Sequence, residues 1–327
     1  MSRQRPCWTT PALAGVFLCV VLLLGGCATP QAGRLEQDWP KDLPTHTELT
    51  AVPFFPQEDY ECGPAALAMA AHVAGVKVLP EKWVDQVYLP GRKGALQLEM
   101  LAASRRHGLL AYALAPKLQA VLREVAAGNP VVVFQNLSLP VYPVWHYAVV
   151  IGFDRNANTL VLHSGRTERL KMSLFTFERT WARGQYWSMV ALPPTRLPAT
   201  AEPQAYAASV AALERVDPRA AQAAYATALQ AWPKLRAAML GAGNTAYALN
   251  ELDSATRAYQ AATAAYPDFA DAWNNLAQVL LDQGKIADAA AAVEHAVTLG
   301  GLRLPHYLEL QQKIGLLARR LSGSATR

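Results

Sequence analysis

The chain has 327 residues and a formal net charge of +5, with its charged side chains scattered through an apolar composition. A packed globular protein of two domains is expected. The charge is too small and too dispersed for a nucleic-acid binder, and no basic stripe interleaved with aromatics is present.

At the N-terminus Arg3 and Arg5 precede an apolar run, Pro11 to Leu24, that is too short to span a bilayer, and Leu24-Gly25-Gly26-Cys27 follows directly. This pattern resembles a bacterial lipoprotein signal peptide, in which small residues give a peptidase access to the bond before a cysteine that carries diacylglycerol. The resemblance implies removal of residues 1–26 and lipidation of Cys27, with each buried CH2 of acyl chain worth about 0.8 kcal/mol of membrane affinity. Ala28, in place of an aspartate, implies sorting to a bacterial outer membrane with the domains facing the periplasm. Residues 27–50 are polar, carry Pro30, Pro40 and Pro44, and read as a lipidated tether with a reach of about 70 to 80 Å when extended.

The chain has four cysteines. Cys7 and Cys19 fall in the leader and Cys27 takes the lipid, which leaves Cys62 as a free thiol in an oxidising compartment. Residues 51–194 mix helical stretches with β-branched and aromatic runs. Ala51 to Phe55 predicts a short strand, and Cys62 opens a helical pattern through Leu67, Met69 and Val73 that stops at Gly75. Pro64 fits the first turn, so the sulfur would sit at a helix N-terminus, where partial positive charge favours thiolate and Glu61 and Asp59 oppose it. Gly91 to Gly94 reads as a turn, not a phosphate loop. Val131 to Phe134 and His146 to Phe153 predict buried strands, with Asp154 to Asn158 turning into a strand Thr159 to His163, and Trp187 to Leu192 predicts another. One helix packed on such a sheet is a papain-like α+β cysteine peptidase arrangement.

The run Gln57-x4-Cys62-Gly63-Pro64-Ala65-Ala66-Leu67-Ala68-Met69, taken with Trp145-His146-Tyr147-Ala148-Val149-Val150-Ile151-Gly152-Phe153-Asp154, resembles the bacteriocin-processing, double-glycine leader peptidase-like cysteine peptidases. The likeness covers roughly 51 to 193. With the lipoprotein signal and the repeats described below, the chain is similar to a periplasmic subgroup of that superfamily. The resemblance implies that Cys62 is the nucleophile, His146 the base and Gln57 a side-chain donor to the oxyanion, the parts acyl transfer requires. Two departures stand out. The family's glutamine more often lies one position farther from the cysteine, and the carboxylate that orients its histidine is missing. Asp154 is eight strand residues from His146, about 26 Å if the strand is continuous. Folding the hairpin about Asn156 instead puts Ser164 beside Ala148, on the face that carries His146. Ser164 and Asn136 are the two candidates for orienting the imidazole. The histidines His72, His107, His163, His295 and His306 show no ligand spacing, and neither a metal nor a cofactor is expected.

Pro193-Pro194 to Pro203 marks a second break, with 195–202 as a linker. From there the chain is Ala-rich and repeats with a period of 34 residues. Ala221, Ala255 and Ala289 are followed at fixed offsets by Tyr225, Tyr259 and Val293, then by Ala228, Ala262 and Ala296. Trp273, Leu276, Ala277, Leu280 and Gly284 complete a signature that resembles the tetratricopeptide repeat. About three repeats are expected over 203–301, with a capping helix and tail in 302–327. Such arrays present a concave surface to peptides or partner proteins. The expected activity is cleavage of a peptide or protein substrate by a lipid-anchored cysteine peptidase whose repeats recruit that substrate or a protein partner. A catalytically degenerate peptide-binding scaffold and a thiol acyltransferase on the same residues are the competing readings.

Overall fold

The computed structural model describes residues 29–57, 61–92 and 94–324. In chain order the first domain comprises α1 (Pro30–Gln37), β1 (His46–Glu48), α2 (Cys62–Val73), α3 (Glu81–Val87), the short pair β2 (Tyr88–Leu89) and β3 (Gly94–Ala95), and α4 (Gln97–Arg106). There follow β4 (Leu110–Ala113), α5 (Leu118–Ala126), β5 (Val131–Asn136), β6 (Trp145–Asp154), β7 (Thr159–Ser164), β8 (Thr167–Ser173), α6 (Leu174–Arg183) and β9 (Ser188–Leu192). The strands form a seven-stranded sheet in the order β4-β9-β5-β6-β7-β8, all pairs antiparallel, with β1 added beside the far end of β6.

Alternation along β6 sends Tyr147, Val149 and Ile151 to one face and Ala148 and Val150 to the other, and every one of these is buried. Helices must therefore cover both sides. On the first face α2 contributes Leu67 and Met69, joined by Trp83 and Met100. On the second face lie Val121, Leu122, Phe177 and Trp181 of α5 and α6. Full burial of each such aliphatic or aromatic side chain is worth about 1.5 to 3 kcal/mol.

Three sequence expectations change here. Ala51 to Phe55 is not a strand; the added strand is β1, His46–Glu48, paired to Gly152, Phe153 and Asp154. Residues 30–48 are no extended tether, because Ala32, Leu35, Trp39 and Leu43 are buried in the second-face cluster. Two helical N–H groups at the start of α1, those of Gln31 and Ala32, donate to the Glu178 carboxylate at 3.0 and 2.6 Å. The segment 195–202 is no free linker either. The buried Glu124 carboxylate accepts from the Ala199 and Thr200 amides and the Thr200 hydroxyl, at 3.2, 2.7 and 2.6 Å.

Beyond it come three helix pairs, α7 (Pro203–Glu214) with α8 (Pro218–Ala231), α9 (Arg236–Ala248) with α10 (Leu252–Ala265), and α11 (Ala270–Asp282) with α12 (Ile286–Leu299), closed by α13 (Leu304–Ser324). Small residues at the repeat positions let the helices approach. A Cβ at Gly241 of α9 would lie 2.1 Å from the Tyr225 ring of α8. The first pair is continuous with the sheet domain, since Tyr206, Val210 and Leu213 share a buried cluster with Leu110 and Tyr112 of β4.

Candidate active site

Helix α2 starts at Cys62, and no side chain caps it. Its first amides are therefore left for other acceptors. Burial pushes the Cys62 thiol above its ordinary range, while the backbone N–H groups of Tyr147, Gly63 and Cys62 itself pull the other way. Cys62 packs in the buried cluster that holds Tyr147, the residue after His146. Glycine at 63 is required for this packing, because a Cβ there would stand 2.6 Å from the Ala95 Cβ and 3.2 Å from the Met100 sulfur.

His146 is the second residue of β6, opposite Gln135 of β5. Its Nε2 lies 2.9 Å from the Ser164 hydroxyl oxygen at the end of β7. Burial alone lowers its pKa to about 4, so the imidazole is neutral at neutral pH and no charged partner shifts it. In the tautomer that carries its proton on Nε2 the ring donates to Ser164, and Nδ1 keeps a free lone pair, as a general base requires. Among the described residues the sulfur and the imidazole form no hydrogen bond to each other. The resting pair is a neutral thiol and a neutral imidazole.

Gln57 is buried, and its backbone N–H donates to the carbonyl of Gly165, the residue after Ser164, at 3.2 Å. Its side-chain Nε2 is buried and finds no acceptor among the described residues. A buried amide donor without a partner costs about 1 to 3 kcal/mol, and such groups concentrate where a ligand supplies the acceptor. The backbone of Gln57 thus joins the end of β7 beside Ser164, which holds His146; alternation puts His146 and Ser164 on the Ala148 face of the sheet, and Tyr147 on the face that α2 and Cys62 cover.

Asn136 does not join them. It pairs opposite Trp145, so alternation turns it to the face away from His146, and its Oδ1 accepts from the Ser138 and Val144 amides at 3.0 and 2.9 Å. The imidazole is held from the other neighbouring strand. Asp154 caps the β6–β7 turn through the Asn156 and Ala157 amides, at 2.8 and 3.1 Å. His163 is built into the sheet, its Nε2 3.2 Å from the Val52 carbonyl oxygen and its Nδ1 accepting from the Arg169 amide. Cys27 and Asp59 lie outside the described residues. The buried glutamates Glu124 and Glu178 were not singled out from the sequence; a lone acidic residue in an otherwise apolar helix face was the available signal.

Residues 49–188 match the family described as Peptidase_C39 like family, and residues 240–301 match a tetratricopeptide repeat family. Among solved structures the chain is similar to a C39-like peptidase from Bacillus anthracis, at 18% identity and a TM-score of 0.39, covering 46% of this chain and 98% of that one. It is similar to the peptidase domain of Streptococcus ComA, a bifunctional ABC transporter involved in quorum sensing, at 20% identity and a TM-score of 0.36, covering 43% and 98%. A third similarity is to the MamA protein, at 21% identity, 35% coverage of this chain and a TM-score of 0.32; the match spans 61% of that structure's length. No curated protein matches the chain. The first domain is a C39-like peptidase domain, and tetratricopeptide repeats follow it.

Proposed function

We propose that the protein is a lipid-anchored periplasmic cysteine peptidase that cleaves a peptide or amide bond. The observation that carries this reading is Cys62 at the start of α2, packed in the cluster of Tyr147, with His146 the residue before Tyr147 on β6 and held 2.9 Å from the Ser164 hydroxyl. In the first step His146 Nδ1 takes the Cys62 proton as the sulfur attacks the carbonyl carbon, forming the C–S bond. The carbonyl oxygen becomes an oxyanion that the Gln57 amide and a backbone N–H at the start of α2 stabilise. His146 then returns the proton to the leaving amine as the C–N bond breaks. Water hydrolyses the thioester by the same route and restores the thiol.

Burial disfavours both charged forms at rest. The repeats would hold the substrate or a partner protein, and Asn244, Tyr247, Tyr259, Asn275 and Gln278 line a hollow between their helices. The test is peptide hydrolysis by the Cys62→Ala variant. It is expected to lose activity with an unchanged circular dichroism spectrum, and full activity in the folded variant would overturn the reading. The second reading, a peptide-binding domain without turnover, draws on the absence of a charged partner for His146. It is separated by whether the wild-type thiol acylates at all.

A further inference from the structure

From Val131 to Phe153 the sequence contains no Asp, Glu, Lys or Arg. Most of that stretch is strand and buried, but its middle is not. The loop joining β5 to β6 exposes Leu137, Leu139, Val141, Tyr142, Val144 and Trp145, with Val141 and Tyr142 at 75% and 78% exposure. So many large apolar side chains on one short segment form a surface patch of the kind that marks an interaction site.

The loop is held in this outward pose. Asn136 Oδ1 clasps its neck through the Ser138 and Val144 amides, and the Leu137 N–H donates to the Val144 carbonyl at 2.9 Å. A turn at the tip is closed by the Tyr142 N–H on the Leu139 carbonyl at 3.1 Å. At the base Trp145 stacks on Phe134, ring centroids 5.1 Å apart and 11° from parallel.

The loop is tied to the start of the fold through one helix. The Ser138 carbonyl accepts from Arg183 Nη1 at 2.7 Å, and Glu178 on the same helix, α6, holds the Gln31 and Ala32 amides. Loop and chain entry are thus fastened to one helix at residues about 8 Å apart along its axis and about 140° apart around it. From Cys27 to Pro30 the chain reaches at most about 11 Å. An acyl chain on Cys27 would hold α6, and with it the loop fastened to its end, within reach of the bilayer. Pro140 and Pro143 remove two backbone donors, and a tryptophan and a tyrosine suit the headgroup boundary.

We propose that the loop 137–145 is a membrane-docking element that inserts Leu139, Val141 and Tyr142 into the interfacial layer of a phospholipid bilayer. His146 directly follows it, so the candidate active site would work at the membrane surface. The orientation rests on the lipid-anchored reading, but the test does not need the acyl chain. A chain beginning at Ala28, which retains every described residue, is floated with vesicles of phosphatidylethanolamine and phosphatidylglycerol at low and high salt. It is expected to float at both, because the loop is uncharged. The combined Leu139→Ser, Val141→Ser and Tyr142→Ser variant is expected to lose the vesicle-bound fraction about tenfold or more. If that variant does not fold, Val141→Asp alone carries the same expectation. Absence of flotation at every lipid concentration, flotation abolished by salt, or equal flotation of the folded variant would overturn the proposal. A variant that floats like the parent but cleaves a soluble peptide with a raised KM would assign the loop to apolar peptide and overturn it as well.

Discussion

The Ser164 hydroxyl oxygen stands 2.9 Å from Nε2 of His146, so the imidazole is oriented by a neutral group. A serine fixes the ring but leaves an imidazolium uncompensated, which matches a pKa lowered to about 4 by burial alone. Replacing Ser164 with Asp places an anion within hydrogen-bonding reach of that ring. An opposite charge so close favours protonated His146, with shifts of about 1 to 3 pKa units. Protonated His146 in turn favours thiolate at Cys62. The pH midpoint for alkylation of Cys62 by iodoacetamide, expected above the ordinary thiol range in the wild type, should therefore fall in Ser164→Asp. An unchanged midpoint in a folded variant would show that residue 164 does not act on the Cys-His pair.

Much of this pairing was legible in the sequence. The β-branched runs named both strands, and folding them about the Asn156 turn placed Ser164 beside Ala148, in line with the observed pairing of Val149 with His163 and Val150 with Leu162. Asn136 was misplaced because its loop bonds could not be seen. An amide in a strand looks the same whether it faces a histidine or clasps a loop. The edge strand β8, Thr167-Glu-Arg-Leu-Lys-Met-Ser173, gave no strand signal because its outward positions carry charge, as edges commonly do. Residues 30–48 read as a tether because prolines and polar residues dominate them. Trp39, Leu35 and Leu43 nonetheless suffice to dock the segment once Glu178 accepts the amides of α1. The repeat array was the most legible part, since Ala221, Ala255 and Ala289 open the same buried stripe in α8, α10 and α12.

Gln57→Ala should lower kcat by about 100-fold to 1,000-fold with little change in KM, the loss usual for one oxyanion donor. The same substitution removes a buried amide that has no acceptor among the described residues, so the thermal midpoint should hold or rise. Steady-state kinetics and a melting curve on one preparation check both. A large fall in stability at unchanged kcat would make Gln57 a packing residue.

Lipidation of Cys27 is checked by growing cells with a clickable fatty acid. The mature chain should carry the label at an N-terminal Cys27, and Cys27→Ala should carry none. Label retained in the variant, or a mature N-terminus elsewhere, would contradict the anchor.

Gly241→Ala should destabilise the repeats by about 1 to 3 kcal/mol despite the higher helix propensity of alanine. The new Cβ would meet the Tyr225 ring, which cannot step aside because it is buried and its hydroxyl donates to Glu214 at 2.8 Å. Since the first repeat shares a cluster with the sheet domain, unfolding followed by far-ultraviolet circular dichroism and by near-ultraviolet signals of the sheet domain should shift together. A shift in neither would show that the helices separate freely.

The most direct measurement of the central claim is the rate and site of labelling by a peptidyl vinyl sulfone, read by mass spectrometry in the wild type and in His146→Ala. The expected result is one adduct on Cys62, formed faster than iodoacetamide reactivity at the same pH would allow, and slowed by about 100-fold or more without the imidazole base. Labelling of Cys62 no faster than its bare thiol chemistry, and equal in His146→Ala, would contradict it.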